Sequence, residues 1–416
     1  VEQDRVLAPS LLRDPQEIDG QPGSAWAEAI AAEVRAAGGR ALTRTTASGL
    51  WDDQFVCLSE KLVEPGQVPA NGFTQRYWHV RAGEVVLATG TIERPLTFAN
   101  NDRPGVMLSR AVRTYVNRFG VVPGKRVVLA TTNDDGYLTA QALRAAGSDV
   151  VAVLDSRPAP AGQDSGLAVV NQAQPHSTKG GKHGVSGLTA MVDGQQRSFA
   201  CDLVAMSGGF TPVVHLHMQG GGKLDWDQAA QAFVPGANPM NVRTIGSAAA
   251  PAPAETVGAS GPAKQAFVDF QNDVTVADLD LAWREGYRSV EHLKRYTTLG
   301  MATDQGKTSN MAALDRIARR EGMAVPQAGL TTFRPPYTPV SMGALAGAGT
   351  GEHAQPTRRM ALHDLHAAKD PIWLNAGYWK RPRAYPQGSE TLAQAGLREA
   401  RAASQAAAKA EPVRAA

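Results

Sequence analysis

Cysteine is nearly missing from this chain: Cys57 and Cys201 are the two present in 416 residues, each inside an apolar, strand-like run, FVCLSE and FACDLVAM. Two distant cysteines make no disulfide framework and read as buried thiols, neither nucleophile nor ligand set. A reducing, cytoplasmic location follows as the expectation. Aromatic residues are scarce at 6%, and no basic run is interleaved with them; 42 Lys and Arg nearly balance 39 Asp and Glu, for a formal charge of +3. That balance argues against nucleic acid as a partner. No uninterrupted apolar stretch reaches the ~18 residues of a membrane span, and no charged-then-apolar leader opens the chain, so no membrane partner is expected. Metal ligands are also in short supply. His215 and His217 would point the same way from a strand, and His363 and His366 could share a helix face, but neither pair has further ligands at a suitable spacing. No Ser/His/Asp or Cys/His set and no pair of carboxylates stands out. No catalytic and no metal-binding residue is therefore assigned.

What the chain does have is length for two or three domains and an alternating α/β pattern. SAWAEAIAAEVRAAG is apolar at helical spacing and stops at Gly38 and Gly39. Short alternating segments, LWDDQFVCLS and QRYWHVRAG, predict a β-meander, and EVVLATG predicts a strand closed by Gly90. From Gly124, the run RVVLATT, NDDG, YLTAQALRAAG, DVVAVLD reads as strand, turn, helix and strand, a βαβ unit of the dinucleotide-binding type. Asp155 lies 19 residues after Gly136, where a ribose-binding acid belongs. Against G-x-G-x-x-G the three positions are Thr131, Asn133 and Gly136. Side chains at the first two obstruct the approach of backbone amides to a pyrophosphate, and Asp134 and Asp135 add like charge there. Weak dinucleotide binding or none, with NAD the dinucleotide expected if one binds, is the prediction. The polar stretch 157–187, with NQAQPHSTKGGKHG, reads as a surface connection. Strands resume in GLTAMVDG and SFACDLVAMSGGFTP, and AAAPAPAETVGASGPA reads as a loop.

Residues 268–310 keep the frame of a small helical iron–sulfur module whose pattern is C-x-C-x-x-V-T, then K-x-x-T, then G-M-x-x-C-Q-G-x-x-C. Its four ligand positions are here Asp269, Gln271, Asp304 and Ser309, while Val274, Thr275, Lys294, Gly300, Met301, Gln305 and Gly306 remain. Such clusters are held mainly by cysteine thiolates, so no iron–sulfur cluster is expected. With TIERPLTFANNDRPGVM, KQAFVDFQNDVT, TTFRPPYTPV and WKRPRAYP, the chain resembles the α subunit of heterotetrameric sarcosine oxidase from residue 1 to about 400. The likeness is partial. The family's N-terminal ubiquitin-like segment, first glycine-rich fingerprint and C-terminal folate-binding domain are not complete here, and ALHDLHAAKDPIWLNAGYWKRPRAYP resembles the opening of an aminomethyltransferase domain.

That resemblance implies an α/β fold with a two-dinucleotide-binding-domain, flavoprotein-like (Rossmann-type) core, then a small helical module and an irregular C-terminal segment. The expected divisions are a partial first dinucleotide-binding domain (1–123), a second one (124–215), a return to the first with a linker (216–260), the cysteine-free module (261–325), a Pro-rich strap leading into an aminomethyltransferase-like opening (326–386) and an Ala-rich tail (387–416). Glu2 takes the place of a ribose-binding acid, and Gly90 and Gly246 belong to the first cofactor site. Ser247 stands where related flavoproteins carry an aspartate. Lys307, Thr308 and Ser309 form a cationic, hydroxyl-rich turn before a helix; contact with an FMN at the boundary with a β subunit, and a plain capped turn, are both open readings of it. The implied function is an α-subunit-like component of an enzyme that demethylates sarcosine to glycine, reduces oxygen to hydrogen peroxide and passes a one-carbon unit to tetrahydrofolate. Its own share would be NAD binding and scaffolding of the β subunit. A subunit of another amine or opine oxidase, and a non-catalytic scaffold or truncated subunit, are the alternatives.

Overall fold

The computed structural model describes residues 17–18, 20–64, 67, 69, 72–160, 166–347 and 356–409; Glu2 lies outside them. Two compact units divide the chain, Val1–Val340 and Ser341–Ala416. At the centre of the first is a five-stranded parallel sheet in the spatial order Val169–Val170, Asp149–Asp155, Arg126–Thr131, Leu203–Ser207, Val106–Leu108. Parallel strands covered on both faces read as continuous apolar runs, which explains RVVLAT and LVAMS. Val127, Leu129, Leu203 and Ala205 pack with Val112, Val116, Ala140 and Leu143 of the helices Ser109–Phe119 and Asp135–Ala145. Their neighbours Val128, Ala130, Val204 and Met206 join Ala173, Leu188 and Ala190 of an antiparallel meander, Ala173–Gly181, Gly184–Val192 and Gln195–Phe199.

The sheet already includes Val106–Leu108, ahead of Gly124, where the unit was expected to open. The stretch 157–187 is no plain surface connection either, since it holds the sheet's edge strand Val169–Val170 and the first arm of the meander. In that arm the buried residues are Ala173, Pro175 and Thr178. With no large apolar side chain among them, Gln174, His176 and Ser177 dominate the composition and hide the strand.

Three antiparallel strands, Thr45–Trp51, Phe55–Lys61 and Gln75–Arg81, form the expected meander. Helix Gly23–Ala36 precedes them and closes before Gly38. Both cysteines are free and buried, as their apolar settings predicted. Val85–Leu87 pairs in parallel with Val242–Thr244. This brings Gly90 near the Gly246 turn, so that a β-carbon on Gly90 would lie 3.8 Å from Ser247 Oγ. His215 and His217 occupy a short helix, His215–Gln219, and not a strand; residues two apart on a helix diverge by about 200°. His217 Nε2 lies 3.0 Å from the Lys223 carbonyl, and the His215 ring packs 4.3 Å from Tyr337.

Helices Val276–Arg284, Val290–Thr297 and Asn310–Glu321 enclose a separate core of Val268, Leu279, Leu293, Leu299, Leu314 and Ile317. Asp278 starts the first of them by accepting from the Thr275 amide at 2.8 Å, the reach-back of a capping box. In the second unit Ile372–Ala376 and Trp379–Ala384 form a hairpin, followed by helix Leu392–Lys409. There His363 stacks on Trp373 and His366 Nδ1 meets the Tyr385 hydroxyl. Among the described residues, no group of three or more His, Cys, Asp or Glu is placed to hold a metal ion, and no helix is long and apolar enough to cross a membrane.

Gly136 is the close-approach point of the βαβ unit: a β-carbon there would lie 2.7 Å from Thr131 Oγ1 and 2.8 Å from Thr131 Cβ. Gly136→Ala is expected to lower stability by about 1–3 kcal/mol through overpacking. Urea denaturation measures it, and a midpoint equal to the parent's would contradict the close packing.

Candidate functional site

Strand Arg126–Thr131 delivers the chain to a turn at 132–134 and then to helix Asp135–Ala145. In dinucleotide-binding folds a pyrophosphate sits at this helix start, held by free backbone amides. Here the residues at the first two glycine positions face inward and serve the turn itself. Thr131 Oγ1 donates to the Asn133 carbonyl at 2.8 Å and accepts from its amide at 3.2 Å. The Asn133 side-chain amide donates to the Ser207 carbonyl at 3.2 Å and hydroxyl at 3.0 Å, while its Oδ1 accepts from the Asp135 amide at 3.1 Å. One of the helix's orphan donors is thus satisfied from within. The Glu255 amide, in the proline-rich loop, donates to the Thr132 carbonyl at 3.1 Å and fastens that loop to the turn.

The charges around the turn are paired off in the same way. Asp155 is fully buried at the end of its strand. Its Oδ1 accepts from the Arg157 amide at 2.9 Å and from Nε at 3.0 Å; its Oδ2 accepts from Arg157 Nη2 at 2.8 Å and the Tyr137 hydroxyl at 2.9 Å. Arg157 also lies 2.7 Å from Asp134. Burial opposes the Arg157 charge, and the bonds to Asp155 and Asp134 outweigh it and raise its pKa. Asp135 sits between Arg110 at 3.1 Å and Arg113 at 3.0 Å. Burial alone would raise its pKa, but the two arginines hold it below the usual carboxylate value. Three acids and three arginines therefore answer one another. Both oxygens of Asp155 that would take ribose hydroxyls are engaged, and the loop positions that would admit a pyrophosphate are filled, so these residues do not fit a dinucleotide held in the usual way.

Glu93, at the end of strand Thr91–Glu93, is 5% exposed. Its Oε2 accepts from the Arg110 amide at 2.8 Å, and Oε1 has no protein partner. Burial pushes its pKa up to about 7, against the lowering influence of the nearby Ser207 hydroxyl and of the Arg110 amide. Glu93, Tyr137 and the three arginines escaped the sequence reading because each lies outside the fingerprint spacing. An arginine two residues after the strand's final acid was the one visible signal.

In the helical module the positions that align with cluster ligands organise backbone. Asp269 is buried; Oδ1 accepts from the amides of Gln271 at 2.9 Å and Asn272 at 3.2 Å, and Oδ2 from Gly300 at 2.7 Å, so one carboxylate ties the two loops together. Asp304 accepts from the Gly306 amide at 3.0 Å. Gln271 is exposed, while Ser309 is buried with its hydroxyl unpartnered in the protein. At Gly306 (φ +75°) the Asn310 side chain fills the space a β-carbon would need. Lys307 Nζ donates to the Tyr337 carbonyl at 3.0 Å and lies 3.9 Å from the Tyr337 ring. Burial lowers its pKa. The strap is therefore laid over its own module, with Gln305 Nε2 donating to the Arg334 carbonyl at 2.9 Å. Thr308 borders a cavity of about 250 Å³ beside helix Asn310–Glu321.

Comparison with known proteins accords with the fold. Residues 263–349 match the sarcosine oxidase A3 domain. The chain is 41% identical over 424 aligned residues to the sarcosine oxidase α subunit of Rhizobium meliloti, covering 92% of this chain and 43% of that one. It is 39% identical to the α subunit of a Corynebacterium species, over 96% of this chain and 48% of the relative. An L-proline dehydrogenase structure from P. horikoshii shares the fold, with a TM-score of 0.57 and 19% identity, over 73% of this chain and 64% of that one. Fold and turn geometry thus define a Rossmann-type α/β protein of the kind found in flavoprotein oxidoreductases. Within that class, the chain is a homologue of sarcosine oxidase α subunits and spans under half the length of those relatives.

Glu93 yields a pH test. Its folded pKa lies above the ordinary 4.5, at about 7, so the stability it contributes is full below pH 4.5 and lost as pH rises through 7. Relative to the parent, Glu93→Gln is expected to gain up to about 3 kcal/mol between those two ends. Chemical denaturation across that range measures it, and parallel curves would show that the carboxyl is not proton-bound in the fold.

Proposed function

We propose that this chain acts as an α-subunit-like component of a sarcosine-oxidising complex in the cytoplasm and scaffolds a flavin-bearing β subunit. The whole complex would demethylate sarcosine to glycine, reduce oxygen to hydrogen peroxide and hand the one-carbon unit to tetrahydrofolate. The likeness to α subunits over more than nine-tenths of the chain carries this reading. Dinucleotide binding is weak in this account, because Asp155 and the turn at 132–134 are engaged internally. No iron–sulfur cluster is assigned, because Asp269 and Asp304 hold backbone amides where thiolates would hold metal.

The docking face we favour surrounds the former ligand loops, where Phe270 and Met301 are exposed, Met301 by 57%. Lys307 has a task inside the chain, which supports a structural role for that turn and leaves FMN contact to the face beside it. Exposed apolar side chains of this kind are candidate anchors for a partner.

Co-expression with a flavin-containing β subunit should recover a complex. The double variant Phe270→Asp/Met301→Asp should lower its recovery and flavin content without changing the melting temperature of the isolated chain. Lys307→Glu should instead lower that melting temperature. Failure to co-purify, or equal flavin content in the parent and the double variant, would remove this surface from the account.

A further inference from the structure

The second unit carries its charge unevenly. Residues 356–409 hold nine Lys and Arg against four Asp and Glu, although the whole chain is nearly balanced. Five of those nine lie on two strands of one three-stranded sheet: Arg358 and Arg359 form its edge, and Lys380, Arg381 and Arg383 lie on Trp379–Ala384. No acid stands on any of the three strands. Glu390 and Glu399 turn instead to Arg398, at 3.0 and 3.9 Å, and among the described residues none of the five strand cations has a carboxylate within ion-pair distance.

Register sorts this sheet into two faces. Trp373 pairs with Pro382; the His363 ring of helix His363–Ala367 stacks on Trp373, and Lys380 Nζ lies 4.8 Å from the same ring, so that face is packed. The other face takes Leu374, which pairs with Arg381, and Arg358, which pairs with Trp379. All four are exposed, Leu374 by 42% and Trp379 by 39%, and the Arg358 guanidinium lies 6.0 Å from the Trp379 ring. Arg383, where the register shifts, and Tyr378, in the hairpin turn, are exposed at the two ends of that strand. Cations and apolar side chains share this face, and no acid of the sheet offsets them. Its complement is a surface that is negative and apolar together.

We propose that this face docks an extended acidic segment of a partner protein, with carboxylates on Arg358 and Arg381 and an apolar side chain over Trp379 and Leu374. Guanidinium groups suit carboxylates through their planar, forked donors. Trp379 and Arg381 stand two residues apart on one strand, roughly 6.5 Å, and alternate side chains of an extended peptide repeat at that same spacing. An acid and an apolar residue two positions apart in the partner therefore meet this pair. A nucleic acid suits the face less well, because its affinity comes from neutralising many phosphates, and Leu374 offers a base no ring to stack on. The surface lies outside the 268–310 module and does not rest on the docking face around Phe270 and Met301.

Fluorescence anisotropy with the full chain and a labelled nine-residue peptide, carrying Glu, Leu, Glu, Leu and Glu at alternate positions with Ser between them, tests the proposal. Binding at low salt should saturate with a dissociation constant of about 0.5 mM or tighter. Gln in place of the three Glu should abolish it, and Ala in place of the two Leu should weaken it by about threefold or more. Arg358→Glu/Arg381→Glu, at two exposed positions, should weaken it by about tenfold or more at an unchanged melting temperature. No saturable binding, equal affinity for the Gln or the Ala peptide, equal affinity in the folded double variant, or tighter binding of a labelled nine-nucleotide thymidine strand would each overturn it. The peptide series on the parent protein decides the matter even if the variant does not fold.

Discussion

Three aspartates and three arginines meet around the first turn of helix Asp135–Ala145, and the arrangement of the nucleotide half depends on them. Asp155 is fully buried and is answered there by Arg157 at 2.8 Å; removing one partner of such a pair typically costs about 3–5 kcal/mol. Arg157 reaches Asp134 as well, and Asp135 draws in Arg110 and Arg113 from the neighbouring helix. Helix, sheet edge and crossover are thereby locked by charge where related folds lock them around a ligand. Closing the turn with Thr131 and Asn133 and pairing its acids with arginines are complementary changes: the first removes the room for a pyrophosphate, and the second removes the free ribose acceptor.

The loops of the helical module are likewise held together by side chains of the protein itself. A cluster would tie its loops together through sulfur, and here Asp269 does so through three backbone amides. The strap at 333–340 then covers the turn after Asp304, with Lys307 and Gln305 holding its carbonyls.

Much of the fold was legible because its signals are local. Continuous apolar runs marked the parallel strands, Gly136 marked the helix approach, and the two cysteines were buried as their settings predicted. The arm Ala173–Gly181 was not legible, because small and polar residues fill it and its burial comes from the sheet beneath. His215 and His217 were misplaced on a strand because five residues of helix carry too little periodicity to declare themselves. At the site, the loss of two glycines and the added charge at Asp134 and Asp135 could be read directly. Their neutralisation could not, since Arg110 and Arg113 come from a helix more than twenty residues earlier in the chain, and Lys307 is engaged by Tyr337, 30 residues further on.

The central claim is that the groups through which this fold holds a dinucleotide are consumed within the protein. Titration calorimetry of the chain with NAD addresses it most directly. The account predicts no saturable heat at micromolar protein and ligand, whereas a micromolar or tighter dissociation constant, lost in Asp155→Asn, would contradict it.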